Sequence, residues 1–122
     1  MSENKATPIS SGAREIAWRA IESAKRGDQG ARNWKPNAWT QFTSDFKLTL
    51  REANAVFDAY VTDPSLPKIT GKQSEDKTYE RTILYQFVTI IGNKKCFFKF
   101  KIIDPDPQYS AIQIVSAHRS YP

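Results

Sequence analysis

His118 is the one histidine of this 122-residue chain. It stands in Ile114-Val115-Ser116-Ala117-His118-Arg119-Ser120-Tyr121, a run that reads as a final β-strand ending in titratable and cationic groups. An imidazole can give or take a proton near neutral pH. Upstream, Lys94-Lys95-Cys96-Phe97-Phe98-Lys99-Phe100-Lys101 alternates charged with apolar residues at the period of a half-buried strand. A proton donor beside several ammonium groups suits RNA cleavage without a metal. In that reaction a 2′-hydroxyl loses its proton and attacks phosphorus, the added charge is stabilised, and the departing 5′-oxygen is protonated.

In this scheme His118 supplies the last proton, Lys99 and Lys101 hold the phosphate, and Gln86 completes the polar group. Lys95 and the loop lysines Lys68 and Lys72 add positive charge for the RNA backbone. Arg119 can clamp a phosphate with two parallel hydrogen bonds, and Tyr121 can stack on a base or give a second proton. Trp34 offers a further stacking surface, whereas Trp39 follows the helical period of its neighbours and belongs to the core. The same residues also fit lysines that merely face water and a histidine at a fraying strand end.

Convergence of these groups depends on strand register. Gly92-Asn93 is a two-residue hairpin signal, and it sets Gln86 opposite Lys99, Leu84 opposite Lys101 and Ile90 opposite Lys95. If Asp104-Pro105-Asp106-Pro107-Gln108 turns the chain so that Ile103 meets Ser110, then Lys99 faces Ile114, Phe97 faces Ser116 and Lys95 faces His118. Lys95, Lys99, Lys101, Gln86, Ser116 and His118 then share one face. Tyr85, Phe87, Ile91, Cys96, Phe98, Phe100, Ile102, Val115 and Ala117 share the other, which a one-residue slip would break apart.

The elements that must carry these strands come first in the chain. Residues 1–10 are polar and read as a flexible tail, and residues 11–122 as a single domain. Ala13, Ile16, Ala17, Ala20, Ile21 and Ala24 form a helical stripe that Gly27 can end. Asp28 to Lys35 reads as a loop, and Pro36-Asn37 opens a second helix with Trp39, Phe42 and Phe46 on one side. Thr49-Leu50-Arg51-Glu52 is a capping box ahead of a third helix that turns Leu50, Ala53, Val56, Phe57 and Tyr60 inward. Thr62 to Thr78 reads as a long lysine-bearing loop, and the last strand spans about Ser110 to His118. Helices followed by a meander predict an α+β fold, with N-terminal helices packed on one face of a C-terminal antiparallel β-sheet.

Composition narrows the partners. Lysine and arginine number 18 against 13 acidic residues, a net charge of +5, which favours a polyanion such as nucleic acid or an acidic protein. With one cysteine and one histidine there is no intramolecular disulfide and almost no ligand set for a transition metal, so no cofactor and no metal are expected. Cys96 falls on the apolar face as a buried thiol. The first residues lack an apolar signal core and no stretch approaches a membrane span, so a cytoplasmic protein without a membrane partner is expected.

Leu84-Tyr85-Gln86, Phe97-Phe98-Lys99 and Ile114-Val115-Ser116-Ala117-His118, in this order behind a helical half and a lysine-bearing loop, resemble the RelE-like mRNA interferase toxins, most closely the MqsR type. The resemblance spans roughly residues 13 to 121, and the Ala117-His118-Arg119-Ser120-Tyr121 ending is similar to the histidine-containing tail of HigB-like members. It implies a RelE/MqsR-like domain that cleaves mRNA, on or off the ribosome, to a 2′,3′-cyclic phosphate, and a cognate antitoxin that covers the basic face. It assigns the site to Gln86, Phe98 or Lys99, and His118. The chain departs from the MqsR pattern in having no tyrosine at Phe97-Phe98, and the family's loop lysine maps only to Lys68 or Lys72. A non-catalytic nucleic-acid-binding module and a basic inhibitor of an acidic protein are the alternatives.

Overall fold

A computed structural model describes residues 6–65, 68–73, 82–103 and 110–120. The fold is α+β, with three helices among the described residues laid on one face of a six-stranded, mostly antiparallel sheet. The helices are α1 (Ser11–Lys25), α2 (Pro36–Phe46) and α3 (Leu50–Val61). The strands are β1 (Thr7–Pro8), β2 (Arg32–Trp34), β3 (Thr70–Gln73), β4 (Ile83–Ile91), β5 (Lys94–Ile103) and β6 (Ala111–Arg119), in the order β1-β3-β4-β5-β6-β2.

Side-chain caps satisfy free N–H groups in the first turns of α1 and α3, and a proline opens α2. Ser10 accepts from the Ala13 N–H at 3.1 Å ahead of α1, and Pro36 opens α2, where a missing N–H costs nothing. At α3 the capping box is closed in both directions, with Glu52 N–H donating to Thr49 Oγ1 at 3.1 Å and Thr49 N–H to Glu52 Oε1 at 3.0 Å. These bonds hold the Glu52 carboxyl below its ordinary pKa. Gly27, with φ of 112°, supplies the left-handed residue just after α1.

The core lies between the helices and the sheet face that carries Tyr85, Phe87, Cys96, Phe98, Phe100, Ile112, Ile114 and Ala117. Aromatic rings fill most of it. Phe57 meets Phe87, Phe98 and Phe100 at 5.4–5.7 Å between centroids, and Tyr60 stacks on Phe87 at 4.1 Å. Such pairs add roughly 0.5–1.5 kcal/mol each beyond the area they bury. The Tyr60 hydroxyl also accepts the Lys68 N–H at 3.0 Å, which ties the entry of β3 to α3.

Several elements differ from the sequence expectation. Thr7–Pro8 pairs with β3, so the chain joins the sheet from Thr7. The segment read as a loop after α1 contains a 3₁₀ turn and β2, which runs parallel to β6 and closes that edge of the sheet. The long loop after α3 contains β3. Leu50 is 50% exposed rather than inward, because it sits in the first turn of α3, ahead of the residues that reach the core. Asp104 to Gln108 lies outside the described residues. Among the described residues, no helix is long and apolar enough to cross a membrane.

The β4–β5 pairing is the expected one, with Gln86 opposite Lys99, Leu84 opposite Lys101 and Ile90 opposite Lys95. The β5–β6 pairing is not. Phe97 faces His118 and Lys99 faces Ser116, then a bulge leaves Val115 without a partner and sets Phe100 opposite Ile114. Ile114 is therefore fully buried in the core instead of facing Lys99. In an unbroken strand, Ile112, Ile114, Ser116 and His118 would share a face, and two isoleucines in the core would drag the polar pair in with them. The extra residue lets both pairs sit where their chemistry requires.

Candidate nucleic-acid interface

Among the described residues no helix covers the second face of the sheet, and its residues run in cross-strand rows. One row is Thr70, Gln86, Lys99 and Ser116, from β3 across to β6. Beside it run Lys72, Leu84, Lys101 and Gln113, extended by Asn33 of β2, whose Oδ1 accepts from Gln113 Nε2 at 3.0 Å. On the other side lie Val88, Phe97 and His118, followed by Ile90 and Lys95. Directly opposed side chains in such rows have Cβ atoms about 5 Å apart, and diagonal neighbours such as Lys99 and His118 are about 7–8 Å apart. A phosphate fits between groups at that separation.

His118 is held rather than fraying. Its ring stacks on Phe97 with centroids 5.2 Å apart and planes at 29°, and Lys99 Nζ lies 5.7 Å from the centroid of the same Phe97 ring. On one side of it the Arg119 N–H donates to Asp45 Oδ2 at 2.8 Å, and past it the Ser120 N–H donates to the Lys95 carbonyl at 2.9 Å. His118 Nδ1 is 3.1 Å from the Arg119 carbonyl oxygen. A carbonyl only accepts, so Nδ1 carries the hydrogen in this contact and Nε2 is the atom left to exchange a proton.

The expected group therefore assembles, with Gln86, Lys95, Lys99, Lys101, Ser116 and His118 on one face and Lys72 beside them on β3. His118 faces Phe97 and not Lys95, because of the bulge. Three other candidates leave the interface. Trp34 packs against the core from the helix side, half-buried, edge-on to Trp39 and Phe98 and close to Phe42, with its indole N–H donating to Asn54 Oδ1 at 2.7 Å. Arg119 pairs with the buried Cys96 and so lies on the helix side of the sheet. Lys68 sits before β3, lining a cleft with Arg14 and Trp18 instead of the open face. Tyr121 lies outside the described residues.

Phe97 is the contributor that the sequence reading passed over. It has the parity of Lys95 and Lys99, so an outward aromatic between two lysines was the available signal. Val88 and Ile90, 44% and 59% exposed, continue its apolar strip toward the hairpin. Cys96 is fully buried and its thiol is pushed up to about 12, mainly by burial and further by Asp45, so it is inert as a nucleophile. Among the described residues, no three of the histidine, cysteine and acidic side chains come together as a metal site would need.

No protein-family model, no curated protein and no solved structure matches this chain.

Proposed function

We propose that the open sheet face binds single-stranded RNA and cleaves it as an endoribonuclease of the toxin type, without a metal. The observation that carries this reading is the diagonal pairing of Lys99 with His118 on a face that no described helix covers, with Gln86 and Ser116 in line with the lysine. The RNA 2′-hydroxyl gives its proton to a solvent base, and its oxygen attacks the adjacent phosphorus. Lys99 Nζ and the Gln86 amide stabilise the charge that builds on the phosphate oxygens. The bond from phosphorus to the 5′-oxygen breaks, and His118, as imidazolium, protonates that oxygen from Nε2. The products are a 2′,3′-cyclic phosphate and a free 5′-hydroxyl.

Phe97 supports the same reading from the binding side, since a half-buried aromatic on the open face, flanked by His118 and Lys99, gives an unpaired base a ring to pack against. A toxin of this kind works with an antitoxin that masks the basic face, inside the cytoplasm where mRNA is found. The test separates cleavage from binding. His118→Ala is expected to bind a labelled single-stranded RNA within about threefold of wild type while cutting it at least about 100-fold more slowly. Wild-type binding with no scission would move the protein to the non-catalytic nucleic-acid-binding class.

A further inference from the structure

A second site lies at the far edge of the sheet, on the helix side. Leu50, Asn54 and Asp58 recur at every fourth residue of α3, so they form one stripe, which faces β2 and the end of α1 across a cleft of about 720 Å³. Arg32 of β2 reaches into it from the opposite wall, and Lys25 and Arg51 stand at its mouth as exposed cations. An adjoining lobe of about 580 Å³ shares Arg32, Leu50 and Asn54, and Trp34, Trp39 and Pro36 form its apolar wall.

The polar groups in this cleft are costly for a merely structural role. Asp58 is 5% exposed, and its Oδ2 is 3.1 Å from Arg32 Nη1, an ion pair that lacks the alignment of a hydrogen bond. Arg32 Nε and Asp58 Oδ1 have no hydrogen-bond partner among the described residues. Buried polar atoms of this kind are ordinarily satisfied, and exceptions collect where function requires them. Asn54 spends its oxygen on the Trp34 indole and keeps its amide N–H groups for another acceptor. Leu50, half exposed on the rim, offers apolar surface at the same place.

We infer that this cleft binds a nucleoside monophosphate. Three lining cations stand against one buried carboxylate, with the exposed Glu22 acting on Asp58 from outside the lining, and this positive balance suits a phosphate, with Arg32 at the base and Lys25 and Arg51 as flexible arms. The tryptophan-lined lobe beside them accepts a flat heterocycle, and the Asn54 amide donates to an acceptor on its edge. The ligand arrives free or as the terminal nucleotide of an RNA chain, since both present the same base and phosphate. The site stands apart from the open face and does not depend on the cleavage reading.

The chain has three tryptophans, and they make the test internal. Trp34 and Trp39 line the lobe, whereas Trp18 is on the other cleft with its indole N–H bonded to the Val61 carbonyl. Titrating the full chain with 5′-GMP is expected to shift the Trp34 and Trp39 indole N–H resonances saturably below 1 mM, roughly the affinity expected of a small anionic ligand, and to leave Trp18 in place. Guanosine should bind at least about tenfold more weakly, and a Lys25→Ala, Arg51→Ala double variant should lose at least about tenfold in affinity for 5′-GMP. Both substituted side chains are exposed, so that variant keeps its fold. A 5′-phosphorylated trinucleotide that shifts the same two signals identifies a chain end as ligand, and one that does not identifies the free nucleotide. No saturable shift at millimolar 5′-GMP, equal binding of guanosine, or an unchanged double variant would overturn the inference.

Discussion

At the scale of single residues, His118 depends on neighbours that fix its backbone as much as on its own ring. Asp45 Oδ2 accepts the Arg119 N–H at 2.8 Å, which ties the end of β6 to α2. Asp45→Ala is expected to cost about 1–3 kcal/mol of stability and, by loosening the backbone beside His118, to slow RNA cleavage; thermal melts and cleavage rates measured together check this. Asp58 gives a second prediction. Burial raises its carboxyl to about 6, against the opposing pull of Arg32 and Lys25. The folded chain then holds a proton that the unfolded chain releases near pH 4, so this group's favourable contribution is complete below pH 4 and is lost as pH rises through about 6. Denaturant melts should show stability falling by at most about 1.4 kcal/mol per pH unit in that window, and Asp58→Asn should remove that slope. A slope of the opposite sign in the wild type would mean that Arg32 dominates.

At the scale of elements, the hairpin of β4 and β5 was legible because Gly92-Asn93 fixes its register and both strands alternate cleanly. The last strand was not, since Ile112, Ile114, Ser116 and His118 keep one parity while their chemistry changes from apolar to polar. That conflict, together with the apolar neighbours Ile114 and Val115, is the trace of the bulge in the sequence. Deleting Val115 is expected to force Ser116 and His118 into the core side or Ile112 and Ile114 out of it. Either outcome should cost at least about 3 kcal/mol, read as a large drop in the unfolding midpoint. β2 and β3 escaped notice because each is short and owes its pairing to a neighbouring strand rather than to its own pattern. Gly71 shows what holds β3 down: a Cβ there would lie 2.9 Å from the Tyr85 ring and 3.0 Å from Ile83 Cγ2. Gly71→Ala should destabilise the chain by about 1–3 kcal/mol, measured by the same melts.

For the whole molecule, the helices bury one face of the sheet and leave the other to cations and a few apolar side chains, and this division was visible in the order of elements and the alternation along β4 and β5. The edge cleft was not visible, because Arg32 and Asp58 are 26 positions apart by their numbers and meet only through the parallel addition of β2. If Lys72, Lys95, Lys99 and Lys101 each contact a phosphate, the slope of log affinity against log salt for single-stranded RNA is about −3, and each lysine-to-alanine change lowers its magnitude by about 0.7. The ends of the RNA fragments report the cleavage chemistry. Incubation of the purified chain with single-stranded RNA in excess EDTA should give fragments ending in 2′,3′-cyclic phosphate and beginning with 5′-hydroxyl, and His118→Ala should leave the RNA intact over the same time. Uncut RNA with the wild type, fragments bearing 5′-phosphate, or undiminished cutting by His118→Ala would rule out cleavage by 2′-hydroxyl attack with His118 as the acid.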